Sequence, residues 1–360
     1  MRLYDVSMRR LVAVGICFCG SLFFSSGVVA SDNGNTEKKE TSSSSGANVN
    51  TSSSQVFTVS PAVDLSYSKP KFFTFLTSIP KDVVNVYKTS FTRENTPMIT
   101  MIFVETALMV PADQGLIDGA KSFGKTLNIK PNSTQRALFE IKTKISGKMV
   151  SLPLNGPSDV NTAMYYLGDG VTHTTIALSF LAYGAIAKNY RALQTGSQIA
   201  ETMIASGLVV QTLKHITGRE SPFASTAPGG VWRVFPNQAD YARHVPHYDA
   251  YPSGHIATAV GTVTVIAENY PEHPLIRPIG YSLCGVLAFA MMNNGVHWAS
   301  DYPLGIALGY TFAKVAVAHG RTEIRKESFS HHFRKIGLGK PFISPAVIEG
   351  YPACSIRWGF

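Results

Sequence analysis

Five apolar helical segments follow one another in the second half of the chain, and they limit the fold more than any other feature of the sequence. The segments extend over residues 174–187, 191–216, 253–269, 278–293 and 302–319. Each is apolar on more than one face, as helices are when they lie at the centre of a bundle or touch lipid. The sequence therefore predicts an all-α fold built as a helical bundle.

The lengths of the apolar runs distinguish a bundle in water from a bundle in a membrane. A helix that spans a bilayer needs about 20 consecutive apolar residues. The longest uncharged stretch, residues 278–298, contains Asn293, Asn294 and His297, and the other stretches are shorter. The mean hydropathy of +0.07 is also low for a chain that crosses a bilayer many times. These features favour a soluble bundle over a membrane-embedded one.

The N-terminus has the pattern of a secretory signal peptide. Three arginines within the first ten residues precede an uncharged run that ends in small residues near Ala30. We therefore predict a signal peptide over residues 1–30 and export to the periplasm or cell envelope. An uncleaved anchor helix is the alternative, because the apolar run is long for a signal sequence. A lipoprotein is less favoured, since Cys17 and Cys19 lack a convincing lipobox.

Composition divides the chain after the signal peptide. Residues 31–55 are rich in Ser, Thr and Asn, which predicts a disordered linker. Residues 56–155 predict an N-terminal helical region with helices over 81–91 and 99–110. The stronger helical signals and all the chemical motifs lie within residues 156–322, the predicted catalytic domain.

The remaining residues, 323–360, form a C-terminal tail. Apolar and polar residues alternate over 354–360, which is typical of a short strand. Cys284 and Cys354 would remain after export into a compartment that permits disulfides. A bridge between them and two unbridged thiols are both compatible with the sequence.

The charge of the chain indicates which partners it attracts. The net charge is +9, and it falls to +7 when the three arginines and one aspartate of the signal peptide leave. A basic protein in an envelope rich in anionic lipids favours phosphorylated partners, as substrates or at the membrane surface. The sequence has no pattern of a nucleic-acid-binding module, so we expect no nucleic-acid partner.

Three short motifs occur in order within the predicted catalytic domain. They are KHITGRESP at residues 214–222, YPSGH at 251–255 and GVHWASD at 295–301. The middle motif precedes a predicted helix, so Ser253 is a suitable N-cap. The N–H groups of Gly254 and His255 would then lie at a helix N-terminus, where phosphate binds readily. Taken alone, the same residues are equally compatible with an ordinary helix start.

The third motif places His297 and Asp301 four residues apart. On a helix or its first turn the carboxylate reaches one imidazole nitrogen, and the other nitrogen can then act as a nucleophile. Two alternatives remain open for the pair alone. Asp301 before Tyr302 and Pro303 can be an N-cap, and a His and Asp at this spacing can bind a metal.

Together the motifs resemble the three signatures of the PAP2 superfamily, which includes type-2 phosphatidic acid phosphatases, class A acid phosphatases and vanadium haloperoxidases. The resemblance extends over residues 167–319 and implies the helical bundle of the PAP2 and acid phosphatase type. It implies that His297 is the nucleophile, Asp301 its orienting partner and His255 the general acid. It also implies phosphate binding without a metal or another cofactor, by Lys214, Ser253 and Gly254.

The sequence departs from the family pattern at two charged positions. Ser221 stands where the first motif has an arginine before proline, and Met291 stands where the third motif has an arginine six residues before its histidine. Arginine forms bidentate contacts with phosphate that serine and methionine cannot form. We predict that Arg219 takes over phosphate binding. Four loop residues could also line the pocket, although solvated positions are favoured for each of them: Arg233, Arg243, His244 and His247.

The leading functional hypothesis is a phosphatase that hydrolyses phosphate monoesters through a phosphohistidine, with soluble and lipid phosphates both open as substrates. A catalytically weakened PAP2-like domain that binds phosphorylated lipids in the envelope is the first alternative, because Ser221 and Met291 replace arginines. A vanadate-dependent haloperoxidase is less favoured, because tight binding of vanadate requires the two arginines that Ser221 and Met291 replace.

Overall fold

Helices make up most of the structure, a computed structural model that describes residues 54–131, 135–145, 148–326, 341–348 and 351–358. The predicted signal peptide and nearly all of the predicted linker lie outside these residues. The helices are α1 (Thr74–Thr77), α2 (Ile79–Ser90), α3 (Thr96–Met109), α4 (Asp113–Thr126), α5 (Val160–Tyr166), α6 (Gly170–Ile186), α7 (Tyr190–Thr217), α8 (Gln238–Arg243), α9 (Gly254–Asn269), α10 (Ile276–Asn293) and α11 (Tyr302–Ala318). The predicted helical fold is confirmed.

The helices predicted from the sequence are all present. They correspond to α2, α3, α6, α7, α9, α10 and α11, and their ends agree with the predicted ends within a few residues. No helix among the described residues is both long and apolar enough to cross a membrane.

Helices α7, α9 and α11 pack against one another at the centre of the bundle. Helix α7 has 28 residues and is about 42 Å long. The axes of α9 and α11 approach closely at Gly309, where an added Cβ would lie 2.1 Å from the backbone oxygen of Ala257. The apolar core around this contact includes Ile256, Leu287 and Met291, all fully buried.

Local signals fix the helix ends that carry the motifs. The side chain of Asn189 accepts a hydrogen bond from the first turn of α7, and that of Ser253 from the first turn of α9. Helix α7 ends at Gly218, whose φ of 54° lies in the left-handed region. An added Cβ there would meet the backbone oxygen of Arg233 at 2.1 Å, so glycine is required at this turn.

The N-terminal region contains strands as well as the predicted helices. Strands β1 (Ser54–Ser60) and β2 (Val63–Ser68) form an antiparallel sheet with β5 (Arg321–Arg325), which follows the catalytic helices. Strands β3 (Gln135–Ile145) and β4 (Lys148–Pro157) form a hairpin. These strands were not predicted from the sequence, although polar and apolar residues alternate in the second half of β3 as they do in strands.

The C-terminal tail forms a second hairpin, from β6 (Pro341–Ile348) and β7 (Tyr351–Trp358). The predicted terminal strand is therefore present, and β6 is its partner. Cys284 is a free, buried thiol, which agrees with unbridged cysteines rather than with a disulfide. Burial raises the pKa of this thiol to about 12.

Candidate active site

Three chain segments bring the sequence motifs together. They are the C-terminal end of α7 with Lys214, the start of α9, and the turn that leads into α11. Backbone hydrogen bonds join the segments directly. The N–H of Ser253 donates to the carbonyl of Asp301 at 3.0 Å, and the N–H of Ala250 donates to the carbonyl of Arg219 at 3.0 Å. The residues of all three motifs therefore form one site.

His297 is held by the carboxylate four residues further along the chain. Its Nδ1 lies 3.3 Å from Oδ2 of Asp301, and both side chains are buried. The same oxygen accepts a hydrogen bond from the backbone N–H of Trp298 at 2.8 Å. Asp301 thus closes the turn before α11 and orients the imidazole at the same time. This geometry leaves Nε2 as the nitrogen that can react.

Arg219 is fully buried and binds carboxylates. Its guanidinium donates to Oδ1 of Asp301 and to Oδ2 of Asp113, both at 2.6 Å. It also donates to the hydroxyl of Ser300 at 2.6 Å and to the carbonyl of Gly229 at 2.9 Å. Such bonds hold Asp301 behind His297. They favour a positioning role for Arg219 over the predicted contact with phosphate.

Asp113 comes from α4, outside the predicted catalytic domain. Besides Arg219, it accepts hydrogen bonds from the backbone N–H and the hydroxyl of Ser300, at 3.0 and 2.6 Å. Burial raises the pKa of Asp113 and raises that of Asp301 to about 6. The positive charge of Arg219 acts in the opposite direction on the pKa of both carboxyl groups. One guanidinium between two buried carboxylates also disfavours a metal on Asp301, because the carboxylate already has a cation at 2.6 Å.

His255 faces His297 from the first turn of α9. The two imidazole centroids are 5.7 Å apart, with planes at 71°. Nε2 of His255 lies 2.9 Å from the hydroxyl of Tyr165, which comes from α5. The phenol of Tyr165 thus fixes the orientation of His255, and the sequence analysis did not identify it.

Burial makes both histidines weak bases. Burial, with the neighbouring His297 and the positive charge of Lys214, lowers the pKa of His255 to about 3. Burial and Lys214 likewise lower the pKa of His297 to about 3, although Asp249 and a backbone hydrogen bond with Ala250 act in the opposite direction. Both imidazoles are therefore neutral near pH 7 in the free protein. A neutral His297 is the form that can act as a nucleophile.

The ammonium of Lys214 has an acidic partner. Its Nζ lies 3.6 Å from Oδ2 of Asp249, and the lysine side chain is buried whereas the aspartate side chain is 30% exposed. The positive charge of Lys214 contributes to the lowered pKa of both His255 and His297. Asp249, two residues before the middle motif, was not identified from the sequence.

Ser253 and Gly254 occupy the positions expected from the middle motif. Ser253 is fully buried, and its hydroxyl accepts a hydrogen bond from the N–H of Ile256 at 3.4 Å. The first backbone bond of α9 runs from Ala257 to Ser253. The N–H groups of Gly254 and His255 precede that bond, so they are available to an anion at the helix N-terminus.

The two positions that lack the family arginines are closed to solvent. Met291 is fully buried in the apolar core, and Ser221 is 3% exposed. The N–H of Ser221 donates to the carbonyl of Pro246 at 2.8 Å. Neither side chain can supply the cationic contact that an arginine would supply.

The loop residues considered from the sequence have other partners. Arg233 donates a hydrogen bond to Glu220 at 2.8 Å. Burial raises the pKa of Glu220, but the hydrogen bonds that Glu220 accepts outweigh this effect and lower the pKa to about 2. Arg243 is exposed and lies 4.0 Å from Asp240. The rings of His244 and His247 are 6.3 Å apart, and Nδ1 of His247 lies 3.6 Å from Glu220. Glu220 therefore contacts two of these four residues, Arg233 and His247.

The site combines a histidine held by a carboxylate, a second histidine at a helix N-terminus and a buried lysine in the last turn of α7. Such a set of groups is suited to phosphoryl transfer through a histidine. Residues 195–325 match the family model described as the PAP2 superfamily. This match supports a phosphatase-type activity in general. A search of curated proteins and a search of solved structures each found no match.

Proposed function

We propose that this protein is a phosphatase that hydrolyses phosphate monoesters through a phosphohistidine on His297, without a metal in the reaction. The observation that carries the proposal is the contact between Nδ1 of His297 and Asp301 at 3.3 Å, in a site that also holds Lys214 and His255. An oriented, neutral imidazole beside a buried cation is what phosphoryl transfer requires of a protein nucleophile.

The proposed reaction has two steps. In the first, Nε2 of His297 forms a bond to phosphorus while the ester oxygen leaves with a proton from His255. In the second, water loses a proton to His255 and attacks the phosphohistidine, which releases inorganic phosphate and restores His297. Lys214 and the N–H groups of Gly254 and His255 bind the phosphate oxygens during both steps. The dianionic substrate favours the protonated form of His255 that the first step needs.

An apolar groove supports lipid phosphates as the substrate class. It is a cavity of ≈ 390 Å³ between the N-terminal helices and the bundle. Leu213 and Pro303 line it, and they lie next to Lys214 and two residues after Asp301. The groove is thus lined by residues that are close in the chain to the site, and its apolar surface suits an acyl or isoprenoid chain.

The test is a comparison of a soluble aryl phosphate with a short-chain phosphatidic acid, each assayed with the wild type and with His297→Ala. We expect phosphate release by the wild type in the presence of a chelator and its loss in His297→Ala. The variant His273→Ala, which removes an exposed imidazole outside the site, should keep full activity. Undiminished turnover in His297→Ala contradicts the proposal.

A catalytically weakened domain that binds lipid phosphates is the second candidate. It is favoured by the carboxylate of Asp249, which lies 3.6 Å from the ammonium of Lys214, and by Met291 and Ser221 in place of arginines. In that case the assay above gives no phosphate release, whereas vesicles that contain phosphatidic acid retain the protein and vesicles of phosphatidylcholine alone do not.

A further inference from the structure

A second cluster of ionisable side chains lies away from the active site. It consists of Asp82 on α2, Glu201 on α7 and His319 at the C-terminal end of α11. Helix α11 has 17 residues, so the cluster and Asp301 are about 25 Å apart along this helix. The reaction proposed above does not use these three residues.

The three side chains converge on one point. Nδ1 of His319 lies 2.6 Å from Oε1 of Glu201, and Nε2 lies 3.5 Å from Oδ1 of Asp82. One ligand atom from each residue can be chosen so that all three lie within 4.8 Å of one another. Two ligand atoms at about 2.0–2.2 Å from one metal ion are at most about 4.4 Å apart, so small movements of these side chains bring all three into coordination distance.

Asp82 has oxygens that no donor satisfies. Its side chain is 1% exposed, and within the described part of the chain neither carboxylate oxygen has a hydrogen-bond partner. Glu201 is also 1% exposed. Two carboxylates buried side by side repel each other and lose their hydration. A divalent cation between the two carboxylates would offset this repulsion, in addition to the imidazole of His319.

The surrounding backbone holds the cluster in place. The carbonyl of His319 accepts a hydrogen bond from the side chain of Gln198 at 2.8 Å. The backbone N–H of His319 donates to the carbonyl of Ala316 at 3.0 Å. Gln198 and Glu201 are one turn apart on α7. The side chain of His319 is 21% exposed, which gives an ion and its remaining water ligands a route from solvent.

We propose that Asp82, Glu201 and His319 bind a divalent transition-metal ion of the Zn²⁺ or Mn²⁺ type. One imidazole nitrogen and two carboxylate oxygens are a ligand set that these ions accept, and water completes the coordination. The charge of the ion balances the two carboxylates. Its role is structural, because it joins α2 to the two central helices α7 and α11.

The experiment uses the full chain, stripped with a chelator and dialysed. Zn²⁺ and Mn²⁺ are added separately, and bound metal is measured by mass spectrometry while thermal unfolding is followed in parallel. We expect a single ion per chain and a rise of several degrees in Tm, because an ion that binds only the folded state stabilises it. Phosphatase activity of the stripped protein at 25 °C should be unchanged, so the result does not depend on the proposed function.

Asp82→Asn is the informative variant. An amide at this position can donate a hydrogen bond to Glu201, so the stripped variant should fold at least as stably as the stripped wild type while it loses the ion and the Tm response. His319→Ala should lose the ion too, whereas His273→Ala should keep it. The proposal is overturned if the stripped wild type takes up neither metal, or if Asp82→Asn binds the ion as the wild type does.

Discussion

Among single residues, Asp249 has the most direct influence on what the active site can bind. Its carboxylate lies 3.6 Å from Nζ of Lys214, the ammonium that we propose binds the phosphate oxygens. Two negative groups would then compete for one cation. In the proposed reaction, this carboxylate therefore opposes the binding of the phosphate dianion.

Asp249→Asn should strengthen phosphate binding about tenfold, because the variant removes a negative charge near the bound dianion and frees Lys214. The measurement is the inhibition constant of inorganic phosphate, or its dissociation constant by calorimetry. Asp240→Asn is the matched control, since Asp240 is exposed and pairs only with Arg243 among the described ion pairs. Unchanged or weaker phosphate binding in Asp249→Asn would disprove this role.

Arg219→Met distinguishes two roles of this arginine, positioning of the buried carboxylates and binding of phosphate. Arg219→Met leaves Asp113 and Asp301 buried without their cation, so we expect the free energy of unfolding to fall by about 3–5 kcal/mol. Denaturant unfolding measures the loss. Arg243→Met, at an exposed arginine, should have almost no effect. If Arg219→Met keeps its stability and loses only phosphate affinity, Arg219 binds phosphate as the sequence suggested.

The sequence identified the residues of the site better than their partners. The motifs predicted His255, His297 and Asp301, because their spacing along the chain is itself the chemical signal. Asp113 and Tyr165 come from helices distant in sequence, and one chain alone does not show which remote side chain fills a buried position. The contact of Arg219 with Asp113 was not predicted for the same reason, since Asp113 has no motif around it.

At the scale of elements, the close packing of α9 and α11 sets the geometry of the site. One helix begins just after Ser253 and the other just after Asp301, so a shift between them moves the turn at Ser253 relative to the turn that holds His297. Gly309 permits this packing, since an added Cβ would lie 2.1 Å from the carbonyl oxygen of Ala257.

Gly309→Ala should therefore lower the free energy of unfolding by about 1–3 kcal/mol through overpacking, and it should also lower kcat through misalignment. Gly207→Ala is the matched control. Gly207 lies within α7, and an added Cβ would meet nothing within 4 Å, so this variant should be more stable by up to about 1 kcal/mol. Equal stability of the two variants in denaturant unfolding would contradict the close contact.

The elements differ in how well the sequence predicts them. The long helices carry strong apolar periodicity and N-caps such as Asn189 and Ser253, and these signals are local. Strand β2 pairs with β5, more than 250 positions away along the chain, and β1 pairs with β2. Such pairing is decided by tertiary structure rather than by local propensity.

For the whole molecule, the sequence predicted the class of fold and the order of its catalytic helices. It did not predict how closely the N-terminal region joins the bundle. Helix α4 supplies Asp113, helix α5 supplies Tyr165, and strand β2 pairs with β5 beyond α11. The predicted boundary near residue 156 follows composition, whereas these contacts follow buried charge and hydrogen bonding.

Asp113 has a consequence for anyone who exchanges the superfamily segment between relatives. Residues 195–325 carry Arg219 and Ser300, but the carboxylate that satisfies both lies in α4. A chimera with a foreign segment would combine one protein's guanidinium with another protein's counter-ion. The exchange should give a folded protein only if the arginine and serine of the new segment fit the carboxylate of Asp113. Helix α4 and residues 195–325 should therefore be exchanged together.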